Sequence, residues 1–350
     1  MIKKLITLLS IAFLLAFISS DFFYSSKVNA KEISNVSGAA FNNSTISPNI
    51  KLNNKTPNNF DPLAATNSQL KKYGFPKRPT DKKGLSQWES VMKHAKHNIT
   101  SKLTSEPAIT PDAIIGGGGV GTLYSNNWTG YITKSSLNGG VSYSEVNAEM
   151  NVPKDPYVGT SDADPCFWVG LGGWNTSNLI QAGFDVAALN QDAGLADTQY
   201  EFWIEDYTYP YPSNYNYKPR YKTSPSIKAT DEVYVDVIYD QSSKSTTFFL
   251  EDITQDSFQS YTMSTPYYDG STADFICEAT GPVYKNFYFT PACTFKFCQL
   301  SYDNGMYEGE LGEYGYNSID MTTTGNSSGT RIAYPSSVSN GDQFSIYPTQ

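Results

Sequence analysis

Histidine is almost absent from this sequence of 350 residues, in which His94 and His97 are the only two. Both precede a run of four glycines at residues 116–119, so the long segment that follows contains none. If that segment works alone, it can form no Ser-His-Asp triad, Cys-His dyad or histidine-ligated zinc site. The two histidines lack the H-E-x-x-H pattern, and we interpret them as solvated surface residues. The Asp-Thr-Gly or Asp-Ser-Gly tripeptide of aspartate pairs is also missing, which leaves carboxylate, amide and aromatic chemistry.

Charged residues are scarce too, at 17% of the chain, and they are unevenly distributed. Residues 1–114 carry 15 Lys/Arg and 7 Asp/Glu, whereas residues 115–350 carry 10 Lys/Arg and 27 Asp/Glu. An acidic domain repels phosphate, which argues against nucleic acid as a partner. A basic segment can instead dock on an acidic domain, and protonating the carboxylates would then loosen that contact. Two independently solvated segments would explain the same charges.

Only one long apolar run is present, from Leu5 to Ile18, and it follows the cationic start Met1-Ile2-Lys3-Lys4. The run is short for a membrane span and typical of a secretory signal, with a small-residue cleavage site at Val28-Asn29-Ala30. We therefore predict a signal peptide over residues 1–30 and a secreted product with no membrane segment after cleavage. An uncleaved membrane anchor is the alternative.

The chain has four cysteines, all in its acidic part: Cys166, Cys277, Cys293 and Cys298. An even number in an exported protein predicts disulfides, for which three connectivities are possible. Cys293 and Cys298 are close enough in sequence to close a small loop. Zinc binding is the weaker interpretation, because there is no C-x-x-C pair and no histidine nearby, and we predict no metal and no cofactor.

The chain divides into three parts after the signal. Residues 31–115 form a basic segment in which Leu85, Trp88, Val91 and Met92 recur at helical spacing, which predicts an amphipathic helix near residues 84–99. Residues 116–124 are a glycine-rich junction suited to proteolytic cutting. Residues 125–350 contain short alternating runs separated by Gly, Pro, Asn and Asp, which predicts an all-β domain, an antiparallel two-sheet β-sandwich of the concanavalin-like or jelly-roll type. The predicted strands cover residues 144–152, 166–171, 179–184, 200–205, 233–239, 246–251, 273–278 and 294–300.

Three of these strands place polar side chains on one face each. In N-L-I-Q-A-G-F-D at residues 178–185, the alternation of Ile180, Ala182 and Phe184 predicts a buried face, and Gln181 lies on the other. Carboxylates that share a sheet face repel one another when ionised, so some would have raised pKa values and suit acid–base work. Spacing alone equally allows ordinary solvent-facing residues. The two other strands contribute Glu201, Trp203 and Glu205, and Asp274, Ile276 and Glu278.

The acidic part resembles the glutamic peptidases (eqolisins), the family of scytalidoglutamic peptidase. The resemblance covers most of residues 125–310, and the basic segment is similar to the leader of bacterial members. It rests on the order and spacing of six short pieces: N-N-W-T-G-Y at 126–131, N-V-P at 151–153, W-V-G-L-G-G at 168–173, L-I-Q-A-G-F-D at 179–185, Y-E-F-W-I-E at 200–205 and A-D-F-I-C-E at 273–278.

The resemblance implies a catalytic dyad of Gln181 and Glu278 on a concave sheet face. Glu278 would act as general base on a water, and the Gln181 amide would hold that water and donate to the oxyanion. Gly183 would leave room for substrate. Fungal members have an aspartate where this chain has Gly172, so the sequence departs from the family's pattern at that position. Residues expected to line the cleft or hydrogen-bond the dyad are Trp128, Trp168, Asp185, Glu201, Trp203, Glu205 and Asp274.

We thus predict a secreted, acid-active, pepstatin-insensitive endopeptidase, a monomer made as a zymogen. Its partners would be polypeptide substrates and its own basic segment as an intramolecular inhibitor. A secreted glycan-binding module is the first alternative, because aromatic β-sandwich faces commonly bind sugars. A glycoside hydrolase using Glu201 and Glu205 is the second. Residues four apart on a strand lie about 13 Å from each other, beyond the roughly 5–9.5 Å between carboxyl groups that glycoside hydrolysis needs.

Overall fold

The structure is a computed structural model that describes residues 50–99, 103–107, 121–154, 164–176, 178–188, 198–207, 219–280 and 287–349. The predicted signal peptide lies outside these ranges, as do most of the glycine-rich junction and the segment before residue 50. Two α-helices are described, α1 (Asn67–Tyr73) and α2 (Lys82–Met92). No helix in the described part of the chain is long and apolar enough to cross a membrane.

Nineteen strands make up the rest of the described regular structure, apart from two short 3₁₀ turns. They are β1 (Ile50–Leu52), β2 (His97–Asn98), β3 (Thr104–Pro107), β4 (Thr122–Ser125), β5 (Trp128–Lys134), β6 (Tyr143–Asn151), β7 (Pro165–Gly172), β8 (Leu179–Ala188), β9 (Thr198–Asp206), β10 (Pro219–Ser226), β11 (Glu232–Asp240), β12 (Ser245–Asp252), β13 (Ser257–Ser264), β14 (Thr272–Ala279), β15 (Cys293–Tyr302), β16 (Tyr307–Glu310), β17 (Tyr316–Thr322), β18 (Arg331–Pro335) and β19 (Phe344–Pro348). The predicted all-β domain is confirmed, and all eight predicted strands are present.

The strands form two antiparallel layers. Sheet A has the order β13-β12-β11-β6-β15, and sheet B has the order β17-β5-β14-β7-β8-β9-β10. Strands β18 and β19 pair with each other and connect β17 of sheet B to β15 of sheet A. This is the two-sheet architecture expected from the alternating pattern.

The core lies between the two sheets. Strand β8 shows how the pattern builds it, because Ile180, Ala182 and Phe184 are fully buried in the cluster between the sheets. Sheet A contributes Val235, Leu250 and others to the same cluster. Burying one such side chain favours folding by about 1.5–3 kcal/mol. The intervening residues of β8 consequently face outward from sheet B.

A layer made by residues 50–99, here called the N-terminal layer, covers the outer face of sheet A. Thr66 and Gln69 cap the start of α1 reciprocally, and Asp81 caps α2 through the amide of Gly84. The predicted helix is thus present, but it begins earlier and ends at Met92 rather than continuing to residue 99. After Met92 the chain turns, and His97 and Asn98 then pair with the edge strand β13, which also pairs with β1.

Strands β3 and β4 lie at opposite edges of sheet B. Strand β3 pairs antiparallel with β10, and β4 pairs parallel with β17. The chain therefore contributes a strand to each edge of this sheet, one before and one after residues 108–120.

The predicted disulfides are wrong, since all four cysteines are buried free thiols. Cys166 and Cys277 lie on the neighbouring strands β7 and β14, but Cys166 faces the outer cluster of sheet B and Cys277 faces the core. Cys293 and Cys298 lie five residues apart on strand β15, and their sulfurs are not bonded to each other. Burial raises the pKa of each thiol well above its usual value, which keeps all four protonated.

Candidate active site

The outer face of sheet B carries the polar residues predicted from β8, β9 and β14. Pairing register aligns them in cross-strand rows, in which Gln181 lies beside Glu205 and Gly183 beside Trp203. In the same way Glu278 lies beside Cys166 and next to Trp128. The cluster is closed to solvent, because its main members are at most 1% exposed: Trp128, Trp168, Gln181, Trp203, Glu205 and Glu278.

Glu278 occupies one end of this cluster, where two donors bind its carboxyl group. Trp168 Nε1 donates to Oε2 over 3.1 Å, and Asn127 Nδ2 donates to Oε1 over 3.2 Å. Burial is the largest cause that raises the pKa of Glu278 to about 8, and the charge of Glu205 raises it further. In this closed form Glu278 is therefore a neutral acid at any pH below about 8.

Gln181 occupies the other end, with its amide fixed on one side. Nε2 donates to Glu205 Oε2 over 2.8 Å, which leaves a second N–H on the same nitrogen. Oε1 is buried and accepts no hydrogen bond within the described residues. A buried acceptor without a donor costs free energy, so this oxygen is available to accept a further hydrogen bond.

Trp168 connects the two ends. Its Nε1 binds Glu278, and the ring edge reaches Gly170, where an added Cβ would lie 2.9 Å from Trp168 Cζ3 and 3.1 Å from Gln181 Cβ. The ring of Trp128 meets that of Trp168 edge-on at a centroid distance of 4.9 Å. The missing side chain at Gly170 thus makes room for the indole beside Gln181.

The expected role of Gly183 as space for substrate is wrong. An added Cβ there would lie 2.0 Å from the Phe167 carbonyl oxygen and 2.6 Å from Trp168 Cβ. The space is already filled by strand β7, which approaches β8 closely at this point. Gly172 is similarly restricted, because its φ is +84° and a Cβ would lie 1.8 Å from the Asn178 carbonyl oxygen. The aspartate of fungal members does not fit this backbone.

A buried arginine, which sequence reasoning missed, completes the face. Arg220 of β10 makes a bidentate ion pair with Asp185, with distances of 2.8 and 2.7 Å, and both residues are buried. Its guanidinium lies over the Trp203 ring, 5.1 Å from the centroid. The positive charge lowers the pKa of Glu278, although burial outweighs it. The stretch P-R-Y-K-T-S-P-S at β10 has no clear alternation of apolar and polar residues, so the sequence did not predict this strand or the position of Arg220 in it.

Two predicted residues lie outside the central contacts. Glu201 is only partly buried and is bound by Lys222 over 2.8 Å. Asp274 is fully buried in the row of Gly170 and Gln181, but its carboxyl accepts from Thr272 over 3.2 Å. Burial raises the pKa of Asp274 well above its usual value.

The remaining predicted residues, Trp128, Trp168, Trp203, Glu205 and Asp185, are brought together with Gln181 and Glu278. No group of three His, Cys, Asp or Glu side chains within the described ranges is arranged to bind a metal ion.

A family model described as the Peptidase A4 family matches residues 126–347 of this chain. The chain belongs to this family, the eqolisins or glutamic peptidases, and it is a peptidase. The match covers both sheets and every residue of the site described above.

Solved structures give weaker likenesses. The structure of SCP-B, a member of the eqolisin family in complex with the tripeptide Ala-Ile-His, has a TM-score of 0.44 and 20% identity, and the match covers 65% of this chain and all of that one. Basic winged bean lectin with Tn-antigen has a TM-score of 0.27 and 10% identity over 43% of this chain and 70% of the lectin. Among curated protein sequences, none matches.

Proposed function

We propose that this peptidase is a secreted, acid-active endopeptidase made as a zymogen, with Gln181 and Glu278 as its catalytic dyad. The observation that carries this proposal is the Trp168 indole, which binds Glu278 through Nε1 and lies beside Gln181 at its other edge. The ring therefore binds the carboxyl group directly and lies next to the residue that carries the amide, on one face of the sheet.

The proposed reaction needs only these two groups and water. Ionised Glu278 removes a proton from a water molecule whose hydrogen bond is accepted by Gln181 Oε1, and the water oxygen attacks the peptide carbonyl carbon. The second N–H of Gln181 Nε2 donates to the oxyanion that forms. Glu278 then gives the proton to the leaving nitrogen, and the C–N bond breaks. Glu205 orients the amide through its bond to Nε2.

The closed form is not competent for this chemistry. A general base must be ionised, and Glu278 with a pKa of about 8 is protonated throughout the acid range. Burial is the main cause, so exposing the face to water and substrate lowers this pKa toward the ordinary value of 4.5. Opening of the face therefore both admits the substrate and allows Glu278 to ionise near pH 4–5.

Three features support a zymogen. The dyad is buried, the N-terminal layer packs on sheet A, and β3 adds a strand to the edge of sheet B. The layer and β3 precede β4 in the chain. A cut between β3 and β4 would therefore break their covalent connection to the sandwich. We propose that the chain makes this cut itself in acid, once the face of sheet B has opened. The predicted cutting region around residues 100–125 lies largely outside the described residues.

Casein digestion at about pH 4 tests the proposal, with wild type compared with Gln181→Ala and Glu278→Gln in the presence of pepstatin and a metal chelator. Glu313→Gln is the matched control, because Glu313 is an exposed carboxylate away from the face. We expect inhibitor-resistant cleavage that falls roughly 10²–10³-fold in Gln181→Ala, as for other side-chain oxyanion donors, and disappears in Glu278→Gln. Full activity in either dyad variant would overturn the assignment.

Processing and export have their own tests. If a Gln181→Ala precursor is trimmed in acid as fast as wild type, self-processing is wrong. Sequencing the N-terminus of protein recovered outside the cells would locate the signal cleavage, which we expect after Ala30. Recovery of full-length protein in the membrane fraction would favour the anchor instead.

A further inference from the structure

The N-terminal layer covers sheet A through an apolar contact. Trp88, Val91 and Met92 of α2 pack in one cluster with Tyr234 and Phe249 of sheet A. The ring of Phe75 lies against Phe249 and Phe258, at centroid distances of 5.1 and 4.8 Å. These contacts make the outer face of sheet A a docking surface whose occupant is the N-terminal layer.

Two carboxyl groups are buried in this surface, and no cation within the described residues is bound to either of them. Glu251 lies in register with Tyr234 and Phe258, and both of its oxygens are buried and accept no hydrogen bond within the described residues. Asp236 is fully buried, accepts one long bond of 3.4 Å from the Tyr234 hydroxyl and interacts with the Glu145 carboxyl, and no cation is bound to it within the described residues. An ionised carboxylate in such a place is costly, so both groups are neutral when the layer is docked.

The charged groups around these two acids do not compensate them. The negative charges of Asp256, Asp252 and Glu149 act on Glu251, and the nearby Lys96 and His94 side chains of the layer are bound to Asp256. Asp236 faces Glu145 and Glu308, and here the layer supplies one cation, Lys77, at 3.6 Å from Glu308. The neighbours of both acids are therefore mainly acidic.

We infer that the outer face of sheet A and the N-terminal layer form a proton-dependent latch that mild acid fastens rather than releases. Docking buries carboxyl groups that must be neutral, so docking takes up protons. This is the opposite of the loosening expected from the net charges of the two segments. Its role in regulation rests on the proposed zymogen, but the latch itself does not.

The direction follows from proton linkage. Burial is the main cause that raises the pKa of Glu251 and Asp236 well above their usual values and that of Glu145 to about 7. Groups whose pKa is raised by docking favour docking increasingly as the pH falls from about 7 toward the ordinary carboxyl range near 4. Below that range the same groups are protonated in the undocked state too, so a further fall in pH no longer increases the free energy that favours docking.

Exposed ion pairs between the layer and sheet A give docking the opposite pH dependence at low pH. Bonds from Ser242 and then Lys71 lower the pKa of Asp240, and bonds from Lys96 and then His94 lower that of Asp256. Such pairs favour docking above the ordinary carboxylate pKa and lose this effect as the pH falls below it. The latch is therefore tightest near pH 4–5. Release at that pH needs a cut in the chain, and acid alone releases the layer only below about pH 4.

Hydrogen exchange in the full-length chain tests the latch, with Glu278→Gln present throughout to prevent self-processing. The readout is the protection of the α2 amides from Trp88 to Met92 between pH 7.5 and 3, corrected for the intrinsic rate. We expect protection to rise at least about tenfold from pH 7.5 to 5, the effect of one unit of pKa shift in one group, and to fall below pH 4.

Adding Glu251→Gln removes one of the titrating groups. In this variant the α2 amides should be more protected at pH 7.5 than in the parent, and their protection should depend less on pH. Glu89 is an exposed glutamate on α2 itself, so Glu89→Gln should show the same protection as the parent at each pH. Asp236→Asn replaces Glu251→Gln in the same experiment if that variant does not fold. Protection that falls steadily from pH 7.5 to 5, or unchanged pH dependence in both variants, would overturn the latch. Loss of casein cleavage by wild type would instead overturn the proposed peptidase mechanism alone.

Discussion

The buried pair of Arg220 and Asp185 gives a sharp test of how the face of sheet B is held together. Arg220→Met keeps most of the side-chain volume but removes the guanidinium, so Asp185 loses both bonds of 2.8 and 2.7 Å. Removing one partner of a buried pair typically costs about 3–5 kcal/mol, because the remaining charge is left in a poorly solvating place. Loss of the stacking on Trp203 adds about 0.5–2 kcal/mol.

Urea unfolding of the full chain at pH 7 measures this cost. If the free energy of unfolding falls by about 3 kcal/mol per molar urea, a loss of about 3 kcal/mol in stability lowers the urea concentration at the midpoint by about 1 M. Asp185→Asn should also destabilise, and the double variant should cost clearly less than the sum of the two, because no unmatched charge then remains. The coupling from this double-mutant cycle should be about 2 kcal/mol or more.

A second arginine provides a matched control. Arg331 pairs with Asp320 over 3.0 Å and lies over the Tyr334 ring at 5.0 Å, but its side chain is 54% exposed. Only Asp320 of this pair is buried, and water reaches the Arg331 side of it, so Arg331→Met should lower the midpoint clearly less than Arg220→Met does. Equal shifts for the two arginines, or additive effects of Arg220→Met and Asp185→Asn, would refute the reasoning from burial.

Three further outcomes follow from the geometry of sheet B and from the thiols. Gly183→Ala should lower the melting temperature strongly, because its Cβ would lie 2.0 Å from a backbone oxygen of β7; a neutral effect in thermal unfolding would mean that the space is open. Trp168→Phe removes the N–H that lowers the pKa of Glu278, so infrared titration of that carboxyl should show its midpoint rising above that of wild type; a falling midpoint would mean that lost burial outweighs the bond. Alkylation of the unreduced chain should modify all four cysteines in denaturant and almost none in the native state. If the four sulfurs do not react in denaturant, the predicted disulfides exist after all. The residues to be assayed are Cys166, Cys277, Cys293 and Cys298.

Alternation along single strands predicted the local faces correctly. Gln181, Glu205 and Glu278 share the outer face of sheet B, and Phe275 and Cys277 face the core as their positions required. Such faces follow from the two-residue period of a strand, which needs no knowledge of the neighbouring strands. The site's central residues were therefore accessible to sequence reasoning.

Properties that depend on pairing register were not accessible. Arg220 reaches Asp185 only because β10 lies beside β9, and Gly183 is filled only because β7 approaches β8 closely. The disulfide prediction failed for the same reason, since Cys166 and Cys277 are on adjacent strands but opposite faces. Strands β5 and β13 are among those missed, because Gly130 interrupts one and the other is rich in polar residues, of which Ser260 is bound to Gly74 of the N-terminal layer.

The two outer faces of the sandwich use buried carboxyl groups in different ways. On sheet B the acids have donors, as Trp168 binds Glu278 and Gln181 binds Glu205. On sheet A, Glu251 has none within the described residues. Acid therefore cannot by itself convert the closed chain into a peptidase, because it fastens the layer on sheet A and keeps Glu278 protonated on sheet B. Exposure of sheet B is the step that must come first, since only loss of burial lowers the pKa of Glu278 into the range where acid activity is possible.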